Sequence, residues 1–460
     1  MRKIIVFLIL LFLSLQNVCG DDFSHTLPVI YIHTVDNQPI TSKYDYIEGT
    51  YYLDPMGIEG IEAVGSKDEP LALEIKGRGN YTWGYFDKKP YKLKLGKKQA
   101  LMGMSKSKHF ALLAHADDNV AFLRNTVGFE ISRRIGLPYT PKQCPIEVVL
   151  NGDYIGLYFL TETIRIETER VNIVEQADEE TNPDKITGGW LVEIDNNNET
   201  EQIKFSVEGT DLEWLWITYH SPELLSNEQT EYLTNQFENI IQAIYTEDKQ
   251  STEWEQLIDI NTLAKLYIVH EVIDHLEGFL GSCYLYKDYG ETKWKFGPVW
   301  DLGNAFNDYH SKDKFIYQDS PFPTSIIKEI ALFPRFQQEV RKVWNDFYPY
   351  QLESIDDFIN SFLNQIALAA ECDALRWPNY GNANVYASSE VVFDRLHSKI
   401  DWLNIQWNTS SNIIKNNEIR DTNQYLLYDF NGRQIADKKK MYIMRQQLPD
   451  GTVQTKKYLK

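Results

Sequence analysis

Asn151-Gly152 is the most constraining dipeptide of this chain. It separates Ile146–Leu150 from Tyr154–Leu160. A tight type I′ turn demands positive φ at both central positions, which Asn-Gly accepts better than almost any other pair. The spacing therefore predicts an antiparallel β-hairpin. Upstream, V-I-Y-I-H-T-V before Asp36-Asn37, then Tyr51–Leu53 and Ile58–Val64, read as short strands of a β-rich entry. Leu71–Lys76 and Tyr91–Leu95 predict two more, the second with Tyr91, Leu93 and Leu95 on one face and Lys92 and Lys94 on the other. Leu123–Ile135 predicts a helix stopped by Gly136-Leu137-Pro138. Trp190–Ile194 reads as a strand followed by the loop Asp195–Asn198. Glu228–Tyr245 and Thr262–Leu276 carry helical periodicity, with Asn261 able to cap the second. Tyr284–Tyr286 and Trp294–Phe296 read as strands around Gly290, and Phe336–Ala370 and Val391–Ile405 as mostly helical. The fold class expected is α+β.

The two ends differ from this middle. Arg2 and Lys3 precede the apolar run Ile4–Leu15, and Val18-Cys19-Gly20 offers small residues for cleavage. This is the pattern of an export signal over residues 1–20, with the mature chain starting near Asp21. The run falls short of the ~20 apolar residues of a membrane span, and no other stretch approaches it. The expectation is an exported protein, extracellular, periplasmic or at the cell surface; lipidation at Cys19 is the alternative. Residues 21–70 form the β-rich start of the main domain, 71–407 its body, and Asn408–Asn412 a linker. Residues 413–460 read as a small β module with strands at Tyr425–Tyr428, Met441–Arg445 and Val453–Leu459. The pattern Y-D-F-N-G-R-Q-I…M-Y-I-M…D-G-T-V-Q-T-K-K-Y-L-K resembles the C-terminal sorting domains of type IX-secreted proteins; a plain packing module is the other reading.

Charge narrows the function classes. Lys and Arg number 46 against 66 Asp and Glu, a net charge of −20. Such a surface repels nucleic-acid phosphate, and a nucleotide would need a local basic island. The cysteines Cys144, Cys283 and Cys372 have no metal-ligand spacing and read as small buried apolar residues.

A series of motifs runs in order from Glu74 to Asp308. It comprises E-I-K-G-R-G-N-Y-T-W (Glu74–Trp83), K-K-P-Y-K-L-K-L (Lys88–Leu95), L-R-N (Leu123–Asn125) and the hairpin through Glu162. R-V-N-I (Arg170–Ile173), G-G-W-L-V-E-I-D (Gly188–Asp195) and Y-L-Y-K-D…F-G-P-V-W-D-L-G-N-A-F (Tyr284–Phe306) follow. The ordered set resembles the spore-coat CotH kinase family over roughly half of the chain. That resemblance implies a two-lobed, atypical protein-kinase-like fold, with Mg²⁺ and ATP as cofactors and an exported protein as the acceptor of a phosphoryl group on Ser or Thr. Phosphoryl transfer needs cationic or backbone donors on the phosphates, a carboxylate on the metal and a carboxylate that positions the nucleophile.

The resemblance places these parts on particular residues. Arg78, Lys89 and Lys92, within a basic group that includes Lys88 and Lys94, would hold phosphates, and Gly77 and Gly79 would let backbone approach them. Asp301 matches the family's metal-binding aspartate. Family members often carry an acid two positions later, where this chain has Gly303 and then Asn304, whose amide oxygen is a candidate ligand. Glu277 falls where an aspartate should position the nucleophile, and Ser282 where an asparagine completes the metal site. Glu162 would pair with a phosphate-binding lysine; Arg124, Glu193 and Asp195 are further candidates.

Read without the resemblance, the lysines are a solvated strand face and Arg78, Arg124 and Glu162 structural ion pairs. The changes at 277, 282 and 303 leave a second function class open: a surface or structural binding protein of this fold with weakened or lost catalysis. His270-Glu271-Val272-Ile273-Asp274-His275 superficially resembles a zinc-protease helix. Its histidines are five apart instead of four, so they face different directions.

Overall fold

The computed structural model describes residues 25–195, 202–206, 215–319, 325–348, 350–380 and 382–408, with the backbone of four short strands beyond them. The expected export signal with Cys19, Asn196–Asn198 of the expected loop and residues 409–412 of the expected linker lie outside the described residues. The chain divides into two compact units, Met1–Asn408 and Thr409–Lys460.

In the first unit β1 (Val29–Thr34), β2 (Ile47–Asp54), β3 (Leu71–Gly77), β4 (Tyr91–Gln99), β5 (Ser107–Leu113), β6 (Gln143–Leu150) and β7 (Asp153–Glu162) form a closed barrel. The strand order is β1-β2-β3-β4-β5-β7-β6, closed by parallel pairing of β1 with β6. Alternation accounts for the interior: Leu73 and Ile75, Leu93 and Leu95, Ile146 and Val148, and Leu160 all point into one apolar core. Closure leaves no unpaired strand edge. The Asn-Gly turn is as expected, with Asn151 at φ 53° and Gly152 at φ 83°. Ile58–Val64 is not a strand; only Val64 bridges to Leu53. The seven-stranded barrel itself, and β5 within it, are not part of the sequence expectation. The run Phe110–Leu113 in β5 does not alternate because both its faces are buried. Phe110 and Leu112 join the barrel core, Ala111 and Leu113 the second core.

That second core lies under a five-stranded sheet built from β8 (Trp190–Ile194), β9 (Gln202–Phe205), β10 (Leu215–Ser221), β11 (Cys283–Lys287) and β12 (Lys295–Phe296). Their spatial order is β12-β11-β8-β10-β9. Helices Leu123–Arg134, Asn227–Ile244, Ile260–Val272, Pro334–Phe347, Ile355–Arg376 and Val385–Asn408 contribute apolar side chains to it. The helix at Ile260 is capped by Asp259, which accepts from the Thr262 N–H at 2.8 Å, so Asn261 is not its cap. This helix ends at Val272, short of Leu276, and Asp274 just beyond it takes φ 54°. Phe336–Ala370 is two helices, parted after Phe347. No helix among the described residues is long and apolar enough to cross a membrane.

In the second unit β13 (Leu426–Tyr428), β14 (Gln434–Ile435), β15 (Met441–Gln447) and β16 (Val453–Leu459) form a sheet ordered β14-β13-β15-β16.

Candidate functional site

A cavity of about 690 Å³ opens where the ends of β3 and β5 face the loops around β8, β11 and β12. Arg78 enters it from the turn after β3. Its guanidinium sits 5.4 Å from the centre of the Trp300 ring, a cation–π contact. Burial pushes this guanidinium down, while Asp301, Tyr284 and Glu193 pull it up. The turn is held in place by Trp83, whose ring would lie 2.3 Å from any Cβ at Gly77.

Asp301 faces Arg78 across the cavity from the loop after β12. It holds φ 52°, a left-handed backbone that costs a non-glycine residue ~1–3 kcal/mol and clusters at functional sites. Asp301 is exposed to solvent at the cavity mouth, yet the protein atoms crowded around its carboxyl push it up; Arg78 pulls it down and Glu193 pushes it up further. Gly303 and Asn304 follow in the same loop and line the same cavity. Asn304 donates through Nδ2 to the Tyr309 hydroxyl at 3.2 Å, while its Oδ1 is buried with no hydrogen-bond partner among the described residues. Such an atom costs ~1–3 kcal/mol unless something meets it. Glu277, half-buried in the turn beyond the Ile260–Val272 helix, borders the cavity as well. Burial and then Asp301 push its carboxyl up.

The remaining wall is polar and tied down. Glu193 on β8 meets His220 Nε2 at 2.6 Å and the Tyr284 hydroxyl, and the His220 and Tyr284 rings stack at 5.3 Å. Arg124 acts as a clamp. It donates from Nε to the Ala305 carbonyl and from Nη1 to the Asp117 carbonyl, each at 3.0 Å. Its Nη2 donates to Asn119 and Asn307 at 3.0 and 2.9 Å. Asp118 accepts from the Val120 N–H ahead of the next helix and from the Arg124 N–H in its first turn. Asp117 borders the cavity, and burial, Asp301 and Asp118 push its carboxyl up to about 6. His115, buried beside Asn125 and Gln143, is pushed down to about 3 by burial and then by Lys88, Arg78 and Arg124.

Of the residues expected from sequence, the structure brings Arg78, Glu277, Asp301 and Asn304 to one cavity, with Arg124, Glu193 and Asp195. Lys89, Lys92 and Glu162 are not among its lining residues. Lys89 donates to the Trp83 carbonyl at 2.6 Å. Lys92 lies on β4 opposite Lys76, and burial with Lys76, Arg165 and Arg78 pushes its ammonium down to about 8. Glu162 accepts from Ser105 N–H at 2.9 Å and Oγ at 2.6 Å, from the Tyr139 hydroxyl and from Lys142 N–H. Among the described residues, its hydrogen-bond partners include no lysine ammonium. Lys88 is buried against Asp373. In the histidine-rich turn, His270 and His275 meet each other at 3.0 Å, and Arg395 and Lys399 take Asp274 and Glu271. Asp117 was not foreseen: nothing in its immediate neighbours sets it apart, and only the packing of distant segments brings it to the cavity.

A family model described as CotH kinase protein matches residues 75–403. The chain belongs to the CotH kinase family. The CotH match starts within β3 and ends within the Val385–Asn408 helix, so every lining residue from Arg78 to Asn304 falls inside it. No curated protein matches the chain.

Proposed function

We propose that this CotH-family chain binds Mg²⁺·ATP in the cavity and transfers the terminal phosphoryl group to a Ser or Thr hydroxyl of an exported protein. In this reading the barrel and the sheet-and-helix body are the two lobes of a kinase-like fold. The observation that carries it is the convergence of Arg78, Asp301 and Glu277 on one cavity from three separate parts of the chain. The donor set suits the cofactor. The Asp301 carboxylate and the partnerless Asn304 Oδ1 are hard oxygen donors, as Mg²⁺ prefers. Bound there, the metal would neutralise charge on the phosphate oxygens.

The chain's own groups supply the rest. Arg78 holds phosphate oxygens with a fork of N–H donors, kept in place by Trp300. Glu277 Oε accepts the proton of the attacking hydroxyl; its raised carboxyl is closer to working pH than an exposed one. Trp300 is in turn stacked on Phe129, with ring centres 6.3 Å apart, which steadies the ring that Arg78 lies over. The second reading, a binding protein of the same fold without turnover, is favoured by Ser282 and Gly303, which bring no carboxylate to the cavity. The C-terminal sheet would then serve in either case as a sorting module for export.

Thermal unfolding of the purified protein with and without Mg²⁺·ATP tests the proposal. Ligand at 100 times its dissociation constant adds ~2.7 kcal/mol of stability. A Mg²⁺-dependent rise that Asp301→Ala abolishes, with phosphate transfer to protein hydroxyls, is the expected result. No rise at saturating nucleotide overturns nucleotide binding; a rise without any transfer supports the second reading.

A further inference from the structure

Asp117 sits in the turn between β5 and the Leu123–Arg134 helix, far in sequence from Asp301. The two meet over Gly303. A Cβ placed on Gly303 would lie 3.3 Å from Asp117 Oδ2 and 3.6 Å from Asp301 Oδ1. One small volume beside Gly303 is therefore approached by an oxygen of each carboxylate. Neither carboxylate has an ion-pair partner in direct contact among the described residues, though Arg78 pulls Asp301 down and Arg124 pulls Asp117 down through space. Two carboxylates so placed repel one another, and an acidic pair alone would be no more than a cost. A third oxygen is carried by the residue next to Gly303. Asn304 is partly buried and lines the same cavity, and its Oδ1 is buried with no hydrogen-bond partner among the described residues. Arg124 fixes the arrangement by holding the Asp117 carbonyl and the Ala305 carbonyl at 3.0 Å each. The loops that carry all three oxygens are thus clamped together before any ligand arrives.

We infer that Asp117 is a second carboxylate ligand of the divalent cation at this site, standing in space where position 303 offers no side chain. The inference rests on the Mg²⁺-dependent reading above and extends it to a residue that neither motif nor spacing singles out. Two carboxylates and an amide oxygen make a hard, all-oxygen donor set. A side chain at Gly303 would crowd the Asp117 carboxylate, since its Cβ would lie 3.3 Å from Asp117 Oδ2.

Mn²⁺ is the probe, because its free concentration is read directly by electron paramagnetic resonance without nucleotide or turnover. Asp117→Ala and Asp301→Ala should each weaken Mn²⁺ binding by at least ~10-fold, the lower end of what even outer-shell changes cost a metal site. The exchange variant Asp117→Ala/Gly303→Asp moves the carboxylate to the other side of the same volume and should recover most of the lost affinity. Asp117→Asn keeps the side-chain volume and repeats the test if Asp117→Ala folds poorly by circular dichroism. Wild-type affinity in both Asp117 variants, with binding lost in Asp301→Ala, overturns the role of Asp117 and leaves the cation reading intact. A wild-type protein that takes up no Mn²⁺ overturns both.

Discussion

Asp373→Ala should destabilise the main unit severely although it lies away from the cavity. The Lys88 and Asp373 side chains are each 1% exposed and their charges lie 2.8 Å apart. Lys88 Nζ also donates to the Leu157 carbonyl at 2.7 Å, and Asp373 Oδ1 accepts from the Leu157 N–H at 2.9 Å. Burial pushes Lys88 down and Asp373 up, each away from its charged form, and their attraction opposes both shifts. The pair is therefore needed because both members are buried, and it adds little beyond what apolar packing would. Removing the carboxylate alone strands an ammonium and an N–H. A broken buried pair costs ~3–5 kcal/mol, and the orphaned N–H is part of that figure. Replacing both, Lys88→Met/Asp373→Leu, removes the charges and leaves only the Leu157 groups unpaired, ~1–3 kcal/mol. Urea unfolding followed by tryptophan fluorescence, compared at equal m-value, measures each change. A loss under ~1 kcal/mol for Asp373→Ala would refute the reasoning. So would a double variant as unstable as the sum of its singles.

Two further outcomes follow from local chemistry. His115, held down to about 3, stays neutral in the fold while the unfolded imidazole titrates near ~6.5. Between those values the unfolded chain binds the extra proton, so His115 contributes stability that is lost as pH falls, ~1.4 kcal/mol per pH unit. His115→Gln should flatten the pH dependence of unfolding by about that slope in this window, and an unchanged slope would place a proton on the folded imidazole. Asp259→Ala should cost ~1 kcal/mol in the same urea assay, because it removes the observed helix cap. Asn261→Ala should cost clearly less, and the reverse order would restore Asn261 as the cap.

Much of the local structure was legible because its causes lie in adjacent residues. Asn151-Gly152 meets a dihedral demand of its own turn, and Tyr91, Leu93 and Leu95 alternate because one face of β4 is buried. The stop at Gly136 works in the same way, with Gly136 itself at φ 76°. Barrel closure was not legible, since β1 pairs with β6 across more than a hundred residues, Val29 opposite Glu147. Nor was β5, whose doubly buried face erases the alternation that marks a strand. For the site, the order of motifs brought forward Arg78, Glu277, Asp301 and Asn304, and these share the cavity. It also brought forward Lys89, Lys92 and Glu162, whose neighbours in space are a carbonyl, other cations and a set of hydroxyl and amide donors.

The division has one physical basis. A residue's type and its immediate neighbours determine turns, caps and which strand face is apolar, and those were present in the sequence by itself. Which charges meet is decided by packing between distant segments. Gly128 lets one helix close to 2.1 Å between its would-be Cβ and Leu302 Cδ1, drawing the loop of Asp301 against the turn of Asp117. Lys88 and Asp373 find each other in the same way, 285 residues apart. Only the tertiary structure could make a pair of carboxylates at Gly303 or a buried ion pair at Leu157. Neither has a local signature, and each exists because the apolar surfaces around it had to close.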